Sequence, residues 1–149
     1  MSESKASKIV KETMKQGNNC CEAVLLACNE VWDLSLAEDT LAATGFFGRG
    51  MGSGCTCGAL AGIIMAAGIL HQRHSRMLDD RFPARLHARF IDEFGSACCR
   101  VIRKERPLWR KRHKQACIDL TSWTVTMLIE EWEDASNAEI TAHRDHPNI

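Results

Sequence analysis

The sequence has no apolar run long enough to cross a bilayer: its longest, Ala59 to Leu70, falls well short of the roughly 20 residues a spanning helix needs. No membrane anchor is expected. Nor does it open like a secretory leader, because Met1-Ser2-Glu3-Ser4-Lys5-Ala6-Ser7-Lys8 runs into an amphipathic stretch without an apolar core or cleavage pattern. A cytoplasmic, reducing setting is therefore expected. Internal repeats, strand-type alternation and long linkers are also missing, so residues 1–149 read as one domain, long enough to bury a core without disulfide staples. Formal net charge is zero, yet it is unevenly placed. Residues 100–114 carry eight Lys/Arg against Glu105 alone, and residues 115–149 carry seven acids against Arg144 alone. Two solvated faces that attract each other explain this better than a nucleic-acid site does.

What is present is helical periodicity. Ile9, Val10 and Met14 stripe a first helix that stops at Gly17. Asn19 is placed to cap a second through Trp32, with Cys21, Val24, Leu25, Cys28, Val31 and Trp32 on one face. Ser35-Leu36-Ala37-Glu38 has capping-box spacing and predicts a third helix to about Thr44. From Cys57 to Leu70 the chain is apolar on nearly every side, as a buried central helix would be, and Gly62, Ala66 and Gly68 would permit close helix contacts. After a polar connection over 71–82, Pro83 starts a helix with Leu86, Phe90, Ile91 and Phe94 inward. Pro107 breaks the basic region, and a long helix follows from about Trp109 or Arg112 to Trp132, burying Cys117, Leu120, Trp123 or Thr124, Met127 and Leu128. Residues 135–149 have no periodicity and read as a frayed tail. The expectation is an all-α bundle of about five to six helices, its buried central helix following a glycine-rich loop.

Eight cysteines stand out against that helical background: Cys20, Cys21, Cys28, Cys55, Cys57, Cys98, Cys99 and Cys117. In a reducing compartment such a set reads as catalytic, redox-sensing or metal-binding rather than as a disulfide framework. The focus is Gly54-Cys55-Thr56-Cys57-Gly58-Ala59-Leu60-Ala61-Gly62, where a loop with glycines at 45, 48, 50, 52 and 54 runs into the apolar helix. Without a Lys-Ser/Thr ending the loop is not a P-loop, so nucleotide binding is disfavoured. A cysteine at a helix N-terminus lies near unpaired N–H groups that favour thiolate, which marks Cys57 as a reactive group. If Cys20, Cys57 and Cys99 all occupy first helical turns, three N-termini converge and Arg100 adds charge, so low thiol pKa values are expected. Cys28 reads as a small buried hydrophobe.

Spacing limits the chemistry. Cys20, Cys57, Cys99 and Cys117 are too dispersed for the short knuckles of structural zinc, but four thiolates can ligate an iron–sulfur cluster at any spacing the fold brings together. Thiol–disulfide exchange needs a nucleophile and a resolving partner, and the cysteine set offers several. Capture of a soft metal such as copper(I) or mercury, or of a sulfur species, without turnover is the alternative. His71 and His74 read as solvated; His87, His113, His143 and His146 lack ligand spacing; Trp32, Trp109, Trp123 and Trp132 read as core anchors, with Trp109 stacking on nucleic acid disfavoured.

The pattern resembles a redox-active protein family named for its C-GCAxxG-C-C cysteines, helical proteins of about this length. Asn19-Cys20 with Glu22-Ala23-Val24 is similar to the family's first cysteine, Cys57-Gly58-Ala59 with Gly62 to the central motif, Phe94-Gly95-Ser96 with Cys99-Arg100 to the third and Cys117 to the fourth. The family label reads Gly-Cys-Ala where this chain reads Cys-Gly-Ala, so Cys55 stays open as the central cysteine, and Cys21 and Cys98 double two other sites. The resemblance implies catalytic or ligating roles for Cys20, Cys57, Cys99 and Cys117, support from Cys55, Gly58, Gly62 and Arg100, and an unidentified redox partner or a small sulfur or metal species as the other reactant. It names no substrate and leaves a homo-oligomer open.

Overall fold

The computed structural model describes residues 4–105 and 113–145. Among these every regular element is helical: α1 (Lys5–Lys15), α2 (Cys20–Trp32), α3 (Glu38–Ala42), α4 (Gly58–Arg73), α5 (Phe82–Phe94), α6 (Cys99–Glu105) and α7 (His113–Asp145), with a kinked turn over Gly50–Gly54. Thr56 and Cys98 form an isolated antiparallel bridge. The all-α reading holds. The seven α-helices among the described residues exceed the expected five to six, α6 being the one not anticipated.

Ser4 caps α1 by accepting from the Ser7 N–H at 3.1 Å, and Ala6, Val10 and Met14, one turn apart, bury its inner face. Asn19 caps α2 as expected, and Glu22 completes a capping box that the sequence reading overlooked. The Asn19 side chain accepts from the Glu22 N–H at 2.9 Å while Glu22 Oε1 accepts from the Asn19 N–H at 3.3 Å. The box expected at Ser35 does not form: Ser35 sits at φ +49°, and the short α3 starts after Ala37, which offers no side-chain cap. Pro83 lies in the first turn of α5, whose buried residues are Phe82, Leu86, Phe90 and Phe94, and Gly95 at φ +84° ends it.

α4 buries Gly58, Ala59, Leu60, Gly62, Ile63, Ala66, Ala67 and Leu70 and packs against α2, α5 and α7, while α1 packs on α2 and α7. Gly62 is a contact point: a Cβ there would lie 2.8 Å from Val24 Cβ and 3.3 Å from the Cys21 carbonyl, so the helices approach to a distance that alanine would not allow. Gly68 has no such role, since nothing lies within 4 Å of a Cβ built on it.

In α7 the inward face carries Thr124 rather than Trp123, which is exposed. Trp132 anchors the far end, edge-on to Trp32 at 6.3 Å and to His74 at 4.9 Å. α7 stays helical to Asp145, past the point where its apolar periodicity stops. Pro107, Trp109 and half of the basic run's Lys/Arg residues lie outside the described residues, as does the end of the chain from His146. No helix among the described residues is long and apolar enough to cross a membrane.

Candidate functional site

Helix phase sorts the eight cysteines. Cys20 and Cys21 are the first two residues of α2 and point to different places. Cys21 is fully buried and donates toward the Met65 sulfur of α4 at 3.9 Å, whereas Cys20 lines a cavity of about 370 Å³. Cys57, the N-cap of α4, Cys99, the first residue of α6, and Cys117 of α7 line the same cavity. Four sulfurs from four helices therefore share one space. Cys28 is fully buried in the core, Cys55 is exposed, and the Cys98 thiol donates to the Gly54 carbonyl at 3.1 Å.

Short backbone ties hold the arrangement. Cys57 N–H donates to Ala97 C=O at 2.8 Å and Cys99 N–H to Cys55 C=O at 2.6 Å, which fastens the end of the glycine loop to the start of α6. The Asn19 amide donates to the carbonyls of Thr44 (3.0 Å) and Gly45 (3.2 Å), tying the loop's beginning to α2. Gly58 is required by space: a Cβ there would run into Cys20 Sγ and lie 2.7 Å from the Phe47 carbonyl oxygen. Positive φ at Gly50, Met51, Gly52 and Gly54 folds the loop back so that the Cys55 N–H meets the Gly50 carbonyl at 3.0 Å.

Burial overrides the helix N-termini. The expected depression of the Cys57 pKa is not found; desolvation pushes it from 9.0 up to about 11, although the N–H groups of Leu60 and Ala59 favour the anion without making a full capping hydrogen bond. Cys20 is driven up further, by burial and then by the neighbouring sulfurs of Cys57, Cys117, Cys21 and Cys99. Cys99 and Cys117 are also raised by burial, but the Arg103 guanidinium opposes this at both, and Arg49 does so at Cys117. Arg103 lies one turn along α6 from Cys99, on the same face. It replaces Arg100 as the cation among the sulfurs: Arg100 is exposed and packs over Gly54, where a Cβ would meet its own Cβ at 2.9 Å. α6, at seven residues, is too short to add much dipole.

All eight thiols are free. The cavity wall also contains Arg49, Arg103 and Lys114, with Met14, Ile102, Leu120 and Thr121, and among the described residues no carboxylate. Nothing local in the sequence marks Arg49 as part of this wall, whereas Arg103 and Lys114 belong to the basic run over 100–114 and Arg103 stands four residues after Cys99. Among the described residues no three of His, Cys, Asp or Glu are arranged to hold a metal ion. The donor chemistry suits a cluster or soft metal, but the sulfurs as they stand do not form a coordination shell.

An uncharacterized protein of Archaeoglobus fulgidus is 27% identical to this chain over 146 residues, covering 87% of this chain and 95% of its own length. No solved structure matches. Residues 18–131, more than half of the chain and the whole span from Cys20 to Cys117, match the family model described as "Putative redox-active protein (C_GCAxxG_C_C)", and the protein belongs to that family.

Proposed function

We propose that the protein is a thiol–disulfide redox protein whose centre is the set Cys20, Cys57, Cys99 and Cys117. The observation that carries this reading is that four free thiols from four helices line one cavity. Two of them share a cation. Arg103 lowers the cost of thiolate at both Cys99 and Cys117, so one of this pair is the first nucleophile and the other resolves it. Cys57 then changes role from the sequence expectation, since a thiol held near 11 is a poor first nucleophile at neutral pH. Cys20, whose Sγ lies against Gly58 and on which Cys57 acts most strongly of the neighbouring sulfurs, forms with Cys57 the deeper second pair.

A second reading rests on the four sulfurs and the three cations of the cavity wall. Cys20, Cys57, Cys99 and Cys117 would hold an iron–sulfur cluster or a soft metal ion, which when bound would supply one-electron transfer or simple capture. The cations would offset the negative charge of four thiolates, and loading would displace their protons. The missing coordination geometry ranks this second.

Protein purified without oxygen separates the two. Thiol exchange predicts no visible absorption and the loss of two titratable thiols per oxidation step. A visible band that bleaches on oxidation, with stoichiometric iron, would replace the first reading with the second.

A further inference from the structure

The cavity that the four thiols line is also lined by cations. Among the described residues its wall presents Arg49, Arg103 and Lys114 and no carboxylate. Lys5, Arg85 and Arg89 are engaged in ion pairs, and none of these pairs takes in Arg49 or Lys114. Around those cations the surface is mostly apolar, from Met14, Ile102 and Leu120. At about 370 Å³ the space lies at the lower end of small-molecule sites, which run from roughly 300 to 1,000 Å³. It is sized for a small molecule.

Resting on the thiol–disulfide reading above, we propose that the cavity's substrate is a low-molecular-weight disulfide that carries anionic groups. Three features meet in that class. Thiols attack S–S bonds; the cations draw in and orient anionic groups, excluding cationic analogues by repulsion; and the apolar wall accepts the short carbon segments between them. The exchange balances without a further reactant. The Cys99 thiolate attacks one sulfur of RSSR, forming a Cys99–SR mixed disulfide and releasing RS⁻, which takes up the proton lost by Cys99. The Cys117 thiolate then attacks Cys99 Sγ, releasing the second RS⁻, which takes up the proton from Cys117. The substrate is reduced by two electrons to 2 RSH, and the protein is oxidised by two to the Cys99–Cys117 disulfide.

The test compares three probes of similar size on the reduced, full-length protein without oxygen: 3,3′-dithiodipropionate (anionic), bis(2-hydroxyethyl) disulfide (neutral) and cystamine (cationic). Oxidation rates are followed by thiol titration, and peptide mass spectrometry identifies the oxidised cysteines. The expected order is anionic, then neutral, then cationic, with the anionic-to-neutral ratio at least about tenfold at low salt and shrinking as salt screens the cations. Arg49→Gln and Lys114→Gln should each lower that ratio severalfold while Arg85→Gln leaves it alone. The ratio cancels any general change in thiol reactivity or folding that a variant brings. Equal anionic and neutral rates, or a ratio unmoved in both variants, would overturn the anionic class while leaving thiol exchange standing. Failure of all three probes to oxidise Cys99 and Cys117 would overturn the thiol–disulfide reading and this proposal with it.

Discussion

Cys28 and Cys57 are buried to a similar degree, in the core between helices and at the cavity beside it, and burial raises both thiols, to about 12 and about 11. Their surroundings differ in kind. Burial is the only influence on Cys28, whereas Cys57 feels two backbone N–H groups and the sulfurs of Cys99 and Cys117. Depth alone therefore does not separate these two thiols; the neighbouring sulfurs do. The contrast between Cys20 and Cys21 makes the same point across a single residue, because a step of about 100° around α2 carries the chain from cavity to core.

The largest effect should come from removing the cation-flanked thiols. Cys99→Ser should reduce disulfide exchange to background and Cys117→Ser should halt it at the Cys99 mixed disulfide with one thiol released, both retaining helical circular dichroism, whereas Cys55→Ser leaves exchange near wild type. Exchange surviving in both cavity variants would mean that the two regions do not differ as described. Next in size is a pair of glycine substitutions. Gly62→Ala presses on Val24 and Gly58→Ala presses on Cys20 Sγ and the Phe47 carbonyl, so each should cost about 1–3 kcal/mol by overpacking. In urea titrations the two should look alike. Only Gly58→Ala should also slow exchange, because only it displaces a cavity sulfur.

Alkaline titration sharpens the comparison further. Iodoacetamide labelling of Cys57 in reduced protein should show a midpoint near 11, and Arg103→Gln should move the Cys99 and Cys117 midpoints upward while Arg100→Gln moves them little. A Cys57 midpoint below 9 would contradict the dominance of burial. The smallest effect belongs to the core. Cys28→Ala should retain exchange and lose about 1 kcal/mol, a small side chain's worth of packing. The sign of its pH dependence follows from the raised thiol: above pH 9 the unfolded chain gives up a proton that the folded chain keeps, so stability falls as pH rises from about 9 toward 12. Thermal unfolding across that range should show a shallower decline in Cys28→Ala than in wild type.

The helices were readable because apolar spacing and caps are local: Val10 with Met14, Asn19 before α2 and Pro83 opening α5 all signal within one or two turns. The Ser35 box does not form because the chain turns through positive φ at Asp33, the cap that ends α2, and at Ser35 before α3 can start. The grouping of Cys20, Cys57, Cys99 and Cys117 could be anticipated from their resemblance to a family pattern, but the choice within each pair depends on helix phase and on the bridge between 54–57 and 96–99. Thiol acidity was misjudged because a sequence displays the helix terminus and hides the desolvation that outweighs it. Arg49 enters the wall through a loop whose path no local pattern specifies.

The most direct measurement is a map of which cysteines change oxidation state together. Reduced protein is equilibrated without oxygen across a series of thiol–disulfide buffers, its remaining thiols are blocked, and each cysteine is quantified by peptide mass spectrometry. Cys99 and Cys117 should oxidise as a pair, joined by a disulfide, with Cys20 and Cys57 following as a second pair, while Cys21 and Cys28 stay reduced throughout. Oxidation confined to Cys55 and Cys98, or spread over all eight without pairing, would contradict a redox centre built from the four cavity sulfurs.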